Sequence, residues 1–158
     1  MTLDPSGFYK ILKTNFPFAP TQKQDILLQQ LSQFVLNEND NNIFLLKGYA
    51  GTGKTTIIRS VVKSLWHVKM KAVQLAPTGR AAKVISNYTE KEAHTIHRKI
   101  YYPKSEGGGK ISFTLQKNKH RNTLFIVDEA SMISDNTTES KLFENGSLLD
   151  DLMHYVYS

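Results

Sequence analysis

The chain contains no cysteine. Disulfide bridges and thiolate metal sites are therefore excluded, and a reducing compartment suits it. Long apolar runs are also missing: none approaches the roughly 20 residues that cross a bilayer. The opening residues, MTLDPSGFYK, lack the basic stretch and apolar run of a secretory signal. The expectation is a cytoplasmic protein with no membrane partner. No internal repeat is visible, which argues against a solenoid. Acidic residues are in deficit, 14 against 20 lysines and arginines, for a net charge of +6. That balance suits a polyanionic partner, nucleic acid first. A length of 158 residues allows one domain with a real core but not comfortably two.

Periodicity predicts an α/β layered domain. DPSGFYKILKTNF reads as a short helix capped by Asp4 or Ser6, within an N-terminal helical segment over residues 1–20. TQKQDILLQQLSQFVLN reads as a helix capped by Thr21, with Ile26, Leu27, Leu31, Phe34 and Val35 as its apolar stripe. IFLLK is a continuous apolar run, as in a strand buried on both faces. A helix over KTTIIRSVVKSLW, a strand over KAVQLA and a helix over TGRAAKVISNY follow, then another helix over EKEAHTIHRKIYY. Residues 104–120 read as an inserted loop with a hairpin or ribbon at KISFTLQ. TLFIVDEAS is a further buried strand, NTTESKLFENGS a loop, and LLDDLMHYVY a last helix. Strands alternating with helices imply a mainly parallel sheet with right-handed crossovers.

Gly48-Tyr49-Ala50-Gly51-Thr52-Gly53-Lys54-Thr55 fits G-x-x-x-x-G-K-[ST] at every required position. An apolar run precedes it and a helical pattern follows, as that motif demands. Successive amides from Gly48 through Ala50, Gly51 and Thr52 to Thr56 would form a concavity for phosphate oxygens. The helix starting near Lys54 adds its positive dipole end. Lys54 is expected to reach the β- and γ-phosphates, and the Thr55 hydroxyl to ligate Mg²⁺. The pair Asp128-Glu129 ends a predicted strand, where open α/β sheets bind ligands. Asp128 suits the magnesium, usually through water, and Glu129 suits the attacking water. A hydrolase accounts for that pair better than a small-molecule kinase. The guanine signature Asn-Lys-x-Asp is absent, since NKHR has Arg121 in the last place, so ATP is favoured over GTP.

The pieces PTQKQ, GYAGTGKTT, LAPTGRAAKVI, AHTIHR and LFIVDEASMI occur in one order between Pro20 and Ile133. In these the chain resembles the N-terminal RecA-like motor domain of superfamily 1B DNA helicases, the RecD-type and Dda-type group. The resemblance implies a P-loop NTPase three-layer sandwich spanning residues 1–158, with ATP and Mg²⁺ as cofactors and single-stranded DNA as partner. It implies that Gln24 reads the adenine edge, and that Lys54, Asp128 and Glu129 are catalytic. It also implies DNA contacts from Thr78, Gly79, Arg80 and Lys83 and from Thr95 and His97. Tyr101, Tyr102, Phe113 and neighbouring lysines are further candidates for stacking bases and holding phosphates.

The family continues beyond the acidic strand with a Gly-Asp-x-x-Gln strand and a second RecA-like domain carrying an arginine finger. No Gly-Asp pair occurs in this chain. The resemblance therefore implies a fragment whose sheet is incomplete, with weak turnover by itself and a tendency to self-associate. In the intact protein, ATP hydrolysis would drive single-strand translocation and unwinding. The alternative is a non-catalytic nucleic-acid-binding or structural module with a silent loop.

Overall fold

The computed structural model describes residues 2–39, 41–134 and 143–158. Two compact units divide them. The first comprises the segment up to Ala72 with Tyr88–Glu90 and Asn122–Leu124. The second comprises Val73–Asn87, Lys91–Arg121 and the described residues from Phe125 onward. Each has its own hydrophobic cluster.

In the first unit, helix α1 (Pro5–Thr14) begins where Asp4 accepts the Gly7 amide proton at 2.7 Å, with Pro5 in the first turn. Helix α2 (Gln22–Val35) opens with a reciprocal cap. Thr21 Oγ1 accepts from the Gln24 amide at 3.3 Å, and Gln24 Oε1 accepts from the Thr21 amide at 2.9 Å. Leu28, Leu31 and Val35 are its buried stripe, whereas Ile26 is 48% exposed. The spacing of three and four residues from Leu28 selects that face and turns Ile26 outward. Helix α3 (Lys54–Ser64) buries Ile57 and Val61 and runs into a 3-10 turn at Leu65–Val68. Two small hydroxyls tie α1 to α3: Ser60 donates to the Leu12 carbonyl at 2.6 Å, and Asn15 donates to Ser64 Oγ at 2.9 Å.

The predicted strand at IFLLK is not a strand. Residues 43–47 have the alternating burial of an extended segment, but they join neither sheet. Among the described residues their backbone makes no hydrogen bond. Phe44 and Leu46 pack on the core of the first unit, while Ile43 and Leu45 are 63% and 66% exposed. One face has a core to meet; the backbone has no neighbour to complete a ladder.

The three-stranded sheet has the order β2-β1-β5, where β1 is Lys71–Ala76, β2 is Ala93–Thr95 and β5 is Thr123–Val127. Strands β1 and β2 are parallel, with Leu75 opposite His94. Along β1 and β5, the Lys71 amide donates to the Asn122 carbonyl and the Asp128 amide to the Leu75 carbonyl, both at 2.9 Å. Residue numbers rise together, as in a parallel pair. Helix α4 (Gly79–Thr89) follows β1.

The helix expected over EKEAHTIHRKIYY is broken up. Ala93-His94-Thr95 forms β2, Ile96–Ile100 the short helix α5, and Tyr101 opens strand β3 (Tyr101–Glu106). Thr95 decides the break: it stays extended and its hydroxyl accepts the Arg98 amide proton at 3.2 Å. Strand β4 (Lys110–Leu115) pairs antiparallel with β3 across a glycine turn, giving the expected ribbon but with its first strand starting at Tyr101 rather than 104. Helix α6 (Leu148–Tyr157) packs Leu152 and Tyr155 into the second cluster with Val73, Leu75, Ile96 and Ile100. Asp151 is fully buried there. It accepts from Tyr101 Oη at 2.5 Å, from the Asn145 amide and Nδ2 at 2.8 Å each, and from the Glu144 amide at 3.3 Å. The expected loop over 136–147 lies in part outside the described residues. No helix among the described residues is long and apolar enough to cross a membrane.

Candidate phosphate-binding loop and acidic strand end

The glycine loop belongs to the first unit. It leaves the extended segment at Lys47, turns through Gly48–Gly53, and enters α3 at Lys54. Gly53, the residue before the helix, has φ +89°, and an added Cβ would sit 2.8 Å from Gln24 Nε2. Only glycine takes that conformation and that approach together without a shift. At Gly48 a Cβ would meet Thr52 Oγ1 at 2.7 Å. Thr52 closes the turn, its hydroxyl donating to the Tyr49 carbonyl at 2.7 Å. Ala50 and Gly51 are exposed.

No side chain caps the start of α3. Its first amides, with the dipole behind them, are therefore not claimed by a capping oxygen, which is the arrangement that binds anions. Lys54 Nζ folds back to donate to the Gly48 carbonyl, and to the Tyr49 carbonyl at 3.3 Å. The ammonium thus lies over the loop it would serve. Gln24, Gly48, Thr52, Gly53 and Lys54 line one recess of about 290 Å³. Of the nucleotide-site residues that sequence reasoning singled out, these five meet here, while Ala50, Gly51, Thr55 and Thr56 are not among the residues lining the recess. That reasoning missed Lys23, Leu27, Tyr49 and Ile57, which line the same recess. Their only signal is position: Lys23 and Leu27 beside or one turn from Gln24, Tyr49 inside the loop and Ile57 in the first turn of α3. Gln24 spends its Oε1 on the helix cap and keeps its Nε2 toward Gly53. Thr55 is half-buried, and Thr56 is buried with its Oγ1 3.1 Å from Tyr88 Oη. The donor set fits a phosphate chain: an uncapped helix start, a cradle that a Cβ would fill, and a lysine. Thr55 supplies a hydroxyl suited to Mg²⁺.

The acidic strand end belongs to the second unit. Asp128 follows β5 with its amide held by Leu75, and Glu129 is exposed. Glu129 has φ +53°, a left-handed conformation uncommon outside glycine. It precedes the 3-10 turn Ala130–Met132, whose end is closed by the Met132 amide on the Glu129 carbonyl at 3.0 Å. Such backbone is held by its surroundings and clusters at functional sites.

The candidate nucleic-acid residues fall in two places. Thr78 accepts the Ala81 amide proton at 3.2 Å and so caps α4, with Gly79, Arg80 and Lys83 exposed along its first turns. Thr95 is spent on the α5 cap, and His97 packs among Tyr101, Phe113 and Phe143 with ring centroids 5.8–6.3 Å away. Of the proposed stacking aromatics, Tyr101 is 3% exposed and belongs to the core, while Tyr102 is 54% exposed. Burial raises the Tyr101 phenol far above the usual tyrosine range, and the neighbouring Asp151 adds to the effect.

Comparison with known proteins agrees with this geometry. The family described as the AAA domain, a P-loop NTPase family, matches residues 32–151. An uncharacterized protein of Acanthamoeba polyphaga mimivirus is 27% identical over 85% of this chain and 29% of its own length. An uncharacterized protein of Methanocaldococcus jannaschii is 32% identical over 82% of this chain and 12% of its own length. The ATP-dependent RecD2 DNA helicase of Deinococcus radiodurans is 29% identical over 73% of this chain and 14% of its own length. The chain therefore spans less than a third of each of these relatives.

Proposed function

The chain belongs to the AAA domain family of P-loop NTPases, and from that premise we propose that it binds Mg·ATP as the motor domain of an ATP-dependent DNA helicase. One observation carries the reading: Gln24, Gly48, Gly53 and Lys54 converge on a single recess at the uncapped start of α3. A purely structural turn has no need of the lysine or of an uncapped helix.

Each residue then has a task. The loop amides and Lys54 bind and orient the β- and γ-phosphates. The Thr55 hydroxyl and the Asp128 carboxylate are the groups that would hold magnesium. Glu129 accepts a proton from the attacking water, and Gln24 Nε2 is the group free to address the base. Magnesium, when bound, supplies positive charge against the negative charge that develops on the phosphate oxygens. Single-stranded DNA lies along Arg80 and Lys83. Turnover is slow unless a second RecA-like domain supplies an arginine, which is worth about 10³–10⁵ in rate in related GTPases. Coupling to strand translocation is a property of the two domains together.

Titration with a fluorescent ATP analogue tests this. Saturable binding that requires magnesium and is weakened about 10–100-fold in Lys54→Ala is expected. Absence of any magnesium-dependent binding to folded protein would refute the reading.

A further inference from the structure

A second recess, of about 300 Å³, lies wholly within the second unit at the base of the β3–β4 ribbon. Its wall is cationic: Arg98 and Lys99 come from α5, and Lys117 and Lys119 from the segment leaving β4. His94 and His120 complete it. Among the described residues no carboxylate pairs with Arg98, Lys99, Lys117 or Lys119, while His94 lies 3.5 Å from Glu92. Four cations with no carboxylate partner among the described residues converge on one concavity and repel each other, and an anion relieves that repulsion.

The wall is built, not a chance meeting of long side chains. Gln116 anchors the segment after β4: its amide donates to the Ile100 carbonyl at 2.7 Å and its Nε2 to the Tyr101 carbonyl at 2.8 Å. Asn118 Nδ2 donates to the Val156 carbonyl of α6 at 3.2 Å. His120 packs edge-on against Phe125 at 5.6 Å. With Asn118 turned to α6, the residues on either side of it, Lys117 and Lys119, both line the recess, as alternation in an extended chain allows. Tyr102, half-exposed, and Tyr155 supply aromatic surface on the same wall.

We propose that this recess binds the phosphodiester backbone of a single nucleic-acid strand, with Tyr102 available to stack a base. For its ligand the proposal rests on the nucleic-acid reading above; it takes up Tyr102, a stacking candidate from the sequence, and uses neither Arg80 nor Lys83. Tracking cations beside an aromatic face is how single strands are held without sequence preference. The ribbon above the recess then stands beside the bound strand.

Fluorescence anisotropy of a labelled oligothymidylate on the full chain tests this at several salt concentrations. Lys117→Gln with Lys119→Gln should weaken binding roughly tenfold or more at low salt. It should also lower the slope of log K against log salt by about 0.7 for each lysine removed. Lys117→Arg with Lys119→Arg should keep both affinity and slope. Unchanged affinity and slope in the glutamine variant, with Arg80→Ala and Lys83→Ala abolishing binding, would overturn the recess while leaving the motor reading intact. Loss of Mg·ATP binding from the wild-type chain, with the recess variants behaving as expected, would do the reverse. Inorganic pyrophosphate displacing the oligonucleotide at equal concentration would identify a free-anion site and also overturn the proposal.

Discussion

Single residues carry most of the chemistry at the glycine loop. Among the described residues the Lys54 ammonium bonds only to carbonyls of its own loop, so Lys54→Ala should leave the fold intact by circular dichroism. It should cost about 10–100-fold in ATP affinity, the worth of one or two charge-assisted hydrogen bonds. Gly53→Ala strains a residue at φ +89° and pushes Gln24 out of its cap. A loss of about 1–2 kcal/mol in urea unfolding is expected, with weaker nucleotide binding. Tyr101 gives a pH dependence. Burial first, then its bond to Asp151, raise its pKa above the ordinary 10.0, and burial raises Tyr155 and Tyr157 as well. Above pH 10 the unfolded chain releases protons that the folded chain keeps. Stability present below pH 10 is therefore lost as pH rises, by at most about 1.4 kcal/mol per pH unit for Tyr101. Tyr101→Phe should flatten that slope in pH-dependent unfolding.

At the scale of elements, caps and ladders decide what periodicity leaves open. Helices α1, α2 and α3 are legible because Asp4, Thr21 and the glycine loop mark their starts. Strands β1 and β5 are legible as apolar runs of strand length. The stretch AHTIHR misleads because its hydrophobic spacing is helical, while pairing with β1 draws Ala93–Thr95 into the sheet. Residues 43–47 mislead in the opposite sense: they have strand composition, but no neighbouring strand satisfies their backbone. Their amides should exchange with deuterium as fast as a loop, while those of Val73–Ala76 stay protected. Protection of both to the same degree would contradict the described pairing. Thr78→Ala removes the α4 cap and should cost about 1 kcal/mol in stability.

For the whole molecule, binding to the folded state alone must raise stability. At a hundredfold excess over Kd, Mg·ATP should add about 2.7 kcal/mol, seen as a higher melting temperature. Magnesium without nucleotide should not reproduce that shift, since no group of three or more metal-ligating side chains occurs among the described residues. The residue order by itself determined the α/β class and the phosphate-binding loop. Both depend on local rules: hydrophobic period, glycine where φ is positive, and a lysine at fixed spacing. Only tertiary structure decided that Gln24 meets Gly53, that Tyr101 is core and not surface, and that Arg98 and Lys119 share one wall. Those are meetings of residues distant in the chain, and they follow from which faces pack and which backbone groups find partners, information that no local window contains.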